Sequence, residues 1–389
     1  MVRLGEIFDL QITGEWGNEC AANETGTKVL RTTNFTSDGI IDFENVVIRS
    51  INKAKVEKKR LHCGDIILEK SGGTEKTPVG RVVFCDESIE DDTYLCNNFT
   101  QAMRVNQKVA FPRYVFYFMW YLHYSGRTDL LQNKTTGIRN LQVKSYLNEE
   151  IPLPPLDEQR RIAAVLDKVS GLIAKRREQL DKLDELVKAR FVEMFGDPSA
   201  NSQWPTQKLS KLGELNRGVS KHRPRNDPAL LGGPYPLIQT GDVSNSGLYI
   251  LDYSSTYSEL GLAQSRLWKE GTLCITIAAN IAQTSILAFD ACFPDSVVGF
   301  LPGEKTNAVF VHYWFSFFQK ILEEQAPQVA QKNINLKILS DLDVIVPPYN
   351  LQADFSDFVR QAEKSKLTIQ QSLDKLEVLK KSLMQQYFE

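Results

Sequence analysis

One long stretch occurs twice in this chain, once in the middle and once at the C-terminal end. The copies occupy Ile151–Phe195 and Val344–Phe388, and they align without a gap. A repeat with so long a period does not describe a solenoid of short stacked units. The sequence therefore predicts a chain built as globule, helix, globule and helix, whose two halves are related by a pseudo-two-fold axis.

Each copy carries the hydrophobic seam of a long amphipathic helix. Apolar residues recur at alternating steps of four and three residues, a period typical of coiled coils. Neither helix can bury its stripe alone, so an antiparallel intramolecular pair is favoured over a generic contact with another protein. The residues predicted to pair the helices are Ile162, Leu166, Val169, Ile173, Leu180, Leu183, Val187, Met194, Phe355, Val359, Ile369, Leu373, Leu376 and Leu383.

The segments before the helices resemble each other more faintly. Each contains short alternating strands, glycine turns and a strongly aromatic helix, while the loops between matching landmarks differ. This pattern predicts two α/β (α+β) globular domains joined to two long helices that form an antiparallel coiled coil. The predicted boundaries are 1–153 for the first globule, 154–197 for its helix, 198–346 for the second globule and 347–389 for the last helix.

Composition is that of an ordinary globular protein long enough for two cores. The chain has 389 residues, 42% of them hydrophobic and 24% charged, with no apolar signal segment at its N-terminus. Six cysteines without a CxxC pair and four histidines argue against a structural zinc site, so we expect no metal, reduced thiols and a cytoplasmic location without membrane contact. The net charge of −2 argues mildly against a stand-alone nucleic-acid-binding protein, but it allows one whose basic residues are concentrated on particular faces.

The joints and helices resemble a known family. The run Pro154–Ile162, the heptad helix behind it, the Phe-Gly-Asp-Pro sequence at Phe195–Pro198 and the duplicated plan resemble the specificity subunit of type I restriction-modification systems. The second joint departs from the pattern, since Pro347–Gln352 lacks the glutamate and Phe355 replaces the isoleucine.

The resemblance carries definite expectations. It implies two target-recognition domains that each read one half of an asymmetric double-stranded DNA site, and helices that separate the halves and dock two methyltransferase subunits. Restriction subunits would join the larger complex. S-adenosylmethionine, ATP and Mg²⁺ would bind to those partners, and this chain would bind no cofactor and have no catalytic residue of its own.

Two rival functions start from short motifs. Val346–Tyr349 approaches the (Asn/Asp/Ser)-Pro-Pro-(Tyr/Phe) motif of adenine methyltransferases, but Val346 cannot accept a hydrogen bond from an adenine amino group, and no glycine-rich cofactor loop follows a strand. The run Asp65–Lys70 suggests a nuclease, but its two carboxylates stand too close in sequence. No GxxxxGK[ST] loop is present. A two-domain scaffold that binds proteins without DNA remains the alternative from another class.

Basic and polar residues in the divergent loops are the candidates for DNA contact. Lysine and arginine would neutralise phosphates, while the amides and two of the arginines have the geometry to read base edges. The candidates are Lys53, Lys55, Lys58, Lys59, Arg60, Lys70, Lys76, Arg217, Lys221, Arg223, Arg225, Asn280 and Gln283.

Overall fold

A computed structural model describes residues 1–21, 25–133, 138–198, 203–222, 224–278, 281–317 and 334–389. The chain forms two compact units, of which the first is discontinuous in sequence and the second is one continuous segment. The first unit comprises Met1–Glu178 and Gln370–Glu389, and the second comprises Gln179–Ile369. Each unit therefore holds one globule and a part of both long helices.

The two long helices span Leu156–Phe195 and Tyr349–Phe388. The first ends where Gly196 adopts a left-handed φ of 82°, a conformation that glycine reaches without a Cβ clash. Among the described residues, no helix is long and apolar enough to cross a membrane.

The helix segments run antiparallel within each unit. In the first unit, Arg177 Nη2 donates to Glu377 Oε1 at 2.9 Å, while the earlier Ile162 shares a core with the later Phe388. In the second unit, Asp184 pairs with Lys366, and Phe191 lies 5.4 Å from Phe355 between ring centroids. The predicted α+β fold with an antiparallel helix pair is confirmed.

The first globule packs small sheets around one aromatic helix. Pro112 opens that helix, where its missing N–H removes no intrahelical hydrogen bond. Two of the sheets have the strand orders Phe8–Thr13, Thr100–Val105, Ile66–Glu69, Val82–Phe84, and Val47–Arg49, Thr27–Leu30, Tyr94–Cys96. The other strands are ordered Gln132–Asn133, Arg139–Leu141, Ser71–Gly73, and Val2–Arg3 pairs with Glu150–Ile151. The helices of this globule are Lys53–Lys59, Pro112–Tyr124 and Val143–Leu147, with 3-10 turns at Leu4–Ile7, Thr32–Asn34, Glu87–Asp91 and Arg127–Leu131.

The second globule has a similar plan with larger sheets. Its five-stranded sheet has the order Gly213–Arg217, Val297–Pro302, Leu273–Thr276, Thr284–Leu287, Tyr249–Ile250. A four-stranded sheet has the order Ser255–Tyr257, Leu231–Leu237, Ala291–Cys292, Leu267–Trp268, and Thr206–Lys208 pairs with Asp343–Ile345. The helices that the structure describes in it are Thr240–Asn245, Glu259–Ala263, Ala308–Phe315 and Leu336–Asp341, with 3-10 turns at Leu209–Lys211 and Pro228–Leu230.

A phenylalanine at the end of each long helix inserts into the aromatic core of one unit. Phe388 is buried in the first unit, 5.4 Å from Tyr114 and 5.7 Å from Phe118 between ring centroids. Phe195, its partner in the repeat, is buried in the second unit, 5.0 Å from Phe310. Each globule is thus closed by the end of one helix and joined covalently to the beginning of the other.

The same glutamine builds both joints. Gln159 accepts from the Phe111 N–H at 2.8 Å and donates to the Pro154 carbonyl at 2.7 Å. Gln352, its partner in the repeat, donates to the Pro347 carbonyl at 2.8 Å and accepts from the Thr306 hydroxyl at 2.9 Å. Both side chains are fully buried, so each of these bonds satisfies a group that water cannot reach. The glutamine fixes where the helix leaves the globule.

Candidate nucleic-acid interface

The short helix Lys53–Lys59 presents most of the predicted contacts of the first globule. Asn52 caps it by accepting from the Ala54 N–H at 2.9 Å. Lys55 and Lys59 lie 3.2 Å and 2.9 Å from the Glu15 carboxylate, and the hydrogen bond from Lys59 is the main reason that the pKa of Glu15 is lowered.

These two lysines therefore attach the helix to the loop that carries Glu15. The neighbouring Gly14 must be glycine, because a Cβ there would stand 1.7 Å from the Asn97 carbonyl oxygen. By contrast, Lys53 and Lys58 are exposed and form no ion pair with any described residue. Two of the predicted lysines thus position the helix, and two others are available to a ligand.

Arg60 follows this helix and is tied into the globule. Its guanidinium lies 3.4 Å from Glu90, its Nε is buried, and its carbonyl accepts from Arg104 Nη2 at 3.3 Å. The structure therefore gives Arg60 contacts within the fold, and a DNA contact would have to compete with Glu90.

The turn after the buried strand Ile66–Glu69 carries Lys70 and Lys76. Thr74 and Thr77 close this turn with a hydroxyl pair at 2.7 Å and a backbone hydrogen bond at 2.9 Å. Lys76 is exposed at its tip and Lys70 is half-buried at its base. This turn is a second projecting basic element on the first globule.

In the second globule, the basic loop 217–225 is attached to the rest of the fold by hydrogen bonds and an ion pair. Arg217 donates to the Asp295 carbonyl, and Arg225 forms an ion pair with the Asp295 carboxylate. The Gln264 side-chain oxygen accepts from the backbone of Lys221 at 2.6 Å, and the Lys221 side chain is exposed without an ion pair to the part of the chain that is described. The prediction for Arg223 lies outside the described residues.

The last candidates lie beside a strained residue. Ala282 is the one described non-glycine residue with a left-handed φ, at 59°, and such strain concentrates at functional sites. It directs the chain into Gln283, whose backbone pairs with Thr276 while its side chain is exposed. The prediction for Asn280 lies outside the described residues. Sequence reasoning missed Ala282, and no sequence signal marks such a residue.

The carboxylates of the nuclease hypothesis have structural roles. Arg104 donates two hydrogen bonds of 2.8 Å to Asp65, and Arg81 donates two of 2.8 Å and 2.9 Å to Glu69. Both carboxylates are buried, so each is matched by a guanidinium instead of standing open to a metal ion. The described residues contain no group of three or more potential metal ligands among histidine, cysteine, aspartate and glutamate.

The methyltransferase-like run is a helix start. The Pro348 carbonyl accepts from the Leu351 and Gln352 N–H groups at 3.0 Å and 3.3 Å, and the Val346 N–H donates to Pro205 at 2.7 Å. Tyr349 is the first residue of the C-terminal helix. The run therefore serves as the joint between globule and helix.

Comparison with known proteins identifies the relatives of this architecture. A family model described as type I restriction modification DNA specificity domain matches residues 1–184 and 201–379. A curated relative, the putative type I restriction enzyme MjaX specificity subunit of Methanocaldococcus jannaschii, is 21% identical over 90% of this chain and 83% of its own length.

Two solved structures share the fold over the whole chain. One comes from a study of complex assembly and conformational transition of the type I R-M system, with a TM-score of 0.54 and 17% identity, and 97% of it is covered. The other is the S subunit of a type I restriction-modification system from M. genitalium, with a TM-score of 0.53 and 15% identity, and 95% of it is covered.

Proposed function

This chain belongs to the type I restriction-modification DNA specificity family and is a DNA-specificity subunit, and from that premise we propose that each globule reads one half of a split DNA site. The observation that carries the proposal is that the family model matches each half of the chain separately. The exposed basic elements differ between the halves: a helix and a turn in the first, an arginine-rich loop in the second. Two different readers imply an asymmetric site.

The available lysines are the proposed phosphate contacts. Lys53, Lys58 and Lys76 project from the first globule and Lys221 from the second. Exposed polar side chains of the divergent loops, Gln283 in particular, are the proposed base readers. Lys55, Lys59, Arg60, Arg217 and Arg225 contribute by holding these elements in shape through their internal contacts.

The chemistry belongs to partner subunits in this proposal. Two methyltransferase subunits that use S-adenosylmethionine would dock on the chain, and restriction subunits that use ATP and Mg²⁺ would complete the assembly. The pairing of the buried carboxylates Asp65 and Glu69 with arginines supports a recognition role for the first globule, because it leaves these groups unavailable for acid–base or metal chemistry.

Adenine methylation mapped at base resolution is the direct test. The chain with its methyltransferase partners should modify a single interrupted asymmetric sequence. A complex that modifies DNA without sequence preference, or a purified chain that does not bind duplex DNA at low salt, would instead support the protein-binding scaffold.

The phosphate contacts can be tested with matched lysines on one helix. Lys58→Ala should reduce the slope of log K against log salt by about 0.9, the value for one lost phosphate contact. Lys55→Ala removes the same charge one turn away, but from a lysine already bound to Glu15, and should change the slope much less. Fluorescence anisotropy with the cognate duplex measures both slopes. A slope for Lys58→Ala that is unchanged from that of the native chain would show that this helix does not face DNA.

A further inference from the structure

A cavity in the first unit lies outside all the DNA-contact candidates. It has a volume of about 310 Å³, and its walls come from the Ser37–Asp38 turn, the aromatic helix and both long helices. Gly39, which follows that turn, has a left-handed φ of 78°, and a Cβ there would stand 2.5 Å from the Phe116 ring. The turn is therefore pressed onto the aromatic helix, and this wall of the cavity is fixed.

One cation in this cavity forms no ion pair with a described residue, although Asp38 and Asp167 attract it from a greater distance. Lys380 is only 8% exposed, lines the cavity, and makes no hydrogen bond or ion pair with a described residue. Its Nζ lies 4.5 Å from the centre of the Trp120 ring, whose neighbour Tyr124 is stacked at 4.8 Å. Burial is the main reason that the pKa of Lys380 is lowered. A buried ammonium without a counter-ion is costly.

The carboxylates nearby are already engaged. Arg177 binds both Asp38 and Glu377, which are the acidic groups in the lining. Lys381 adds a further positive charge at the edge of the cavity. The lining therefore has three cationic and two anionic side chains, and the excess charge is positive.

In the second unit, the seam between the two long helices also contains a lysine, but this lysine forms ion pairs. There Lys366 pairs with Asp184 and with Glu363, the latter at 2.6 Å. Asp184 is the repeat partner of Glu377, and the repeat partner of Lys380 is the fully buried Val187. A lysine of the helix seam thus forms ion pairs with carboxylates in the second unit, whereas Lys380 in the first unit forms none with the described residues.

We propose that this cavity binds a small free anion of the phosphate or carboxylate class, with Lys380 as its charged anchor. The volume is at the lower end of that of small-molecule sites, so the ligand is a compact anion. The bound anion supplies the counter-charge that Lys380 lacks and connects the turn and both helices. The residues of this site are not among the DNA-contact candidates. Binding of the anion makes the first unit more stable.

Thermal unfolding of the full chain tests the site, with inorganic phosphate and glycerol 3-phosphate as probes and sodium chloride at matched ionic strength as reference. Both probes should raise the unfolding temperature above the chloride reference. Lys380→Met removes a charged hydrogen-bond donor, so the probe concentration needed for the same rise in unfolding temperature should increase about tenfold. Lys366→Met, the matched loss of a paired seam lysine, should retain the response. An equal response in Lys380→Met and the native chain, or none beyond chloride in the native chain, would overturn the proposal.

A second variant guards against a folding defect in Lys380→Met. Ser37 is exposed and lines the cavity, so Ser37→Asp places a carboxylate at the cavity with little risk to the core. The new carboxylate should repel the probes, so that about ten times more probe is needed for the same rise in unfolding temperature. Ser37→Asn, which adds no charge, should leave the probe affinity unchanged. An unchanged probe response in Ser37→Asp would contradict the site.

Discussion

At the scale of single residues, the alignment of the two copies contains a pair of structurally important glutamines whose role the sequence does not reveal. Gln159 and Gln352 align in the two copies, but a glutamine on a helix is usually a surface residue. Only the structure shows that both amides are buried and connect the helix start to the globule. The ion pairs of Glu15 were equally hidden, because Lys55 and Lys59 stand far from it in sequence.

Gln352 offers a clear test of this joint. Gln352→Leu keeps the approximate size of the side chain but leaves the Thr306 hydroxyl and the Pro347 carbonyl without their partner. An unsatisfied buried polar group costs about 1–3 kcal/mol, so the second unit should lose at least that much stability in urea unfolding. Gln361→Leu, on the exposed face of the same helix, is the control and should be close to neutral. Similar losses in both variants would mean that helix propensity, and not the joint, sets the effect.

At the scale of elements, the heptad rule describes the middle of each long helix better than its end. The predicted pairing positions, from Ile162 to Leu383, are all buried or half-buried. The rule missed Phe191 and Met384, which are fully buried. From Val187 onward the buried residues follow steps of four, to Phe191 and Phe195. This step moves the apolar face around the helix, so that both rings contact Phe310 of the globule as well as Phe355 of the partner helix. A heptad template does not reveal this added contact with the globule.

The terminal phenylalanines should therefore affect one unit each. Phe388→Ala removes a ring that packs against Tyr114 and Phe118 and should cost about 3–5 kcal/mol. Hydrogen exchange should increase in the aromatic helix Pro112–Tyr124 and stay unchanged in Ala308–Phe315.

Phe195→Ala should show the reverse pattern, because its ring packs against Phe310. Leu379→Ala changes an exposed residue of the same helix as Phe388 and is the control for helix fraying. Increased exchange in both aromatic helices with either variant would show that the units do not unfold separately.

At the scale of the whole molecule, the duplication means that each unit is completed by the end of a long helix, which for the first unit comes from a distant part of the chain. The first unit needs residues 370–389 and the second needs residues 179–195. The segments that complete them are copies of the same sequence, ending in Phe388 and Phe195. The sequence allowed the helices and their pairing to be predicted because periodicity records them. It could not predict loop shapes such as the turn at Ala282, because no sequence pattern records a left-handed φ at an alanine.

This equivalence predicts the behaviour of half the chain. The fragment Met1–Pro198 keeps the first globule and its helix but lacks Phe388, so the core around Tyr114 and Ile162 is left open. Each large apolar side chain left uncovered forfeits about 1.5–3 kcal/mol. A second copy can fill the gap with its own Phe195, which gives a symmetric dimer with two identical readers. Sedimentation should show a dimer that Phe195→Ala weakens, and with methyltransferase partners the modified site should become an interrupted palindrome. A monomeric fragment, or one that still directs methylation to the asymmetric site, would show that the two copies are no longer interchangeable.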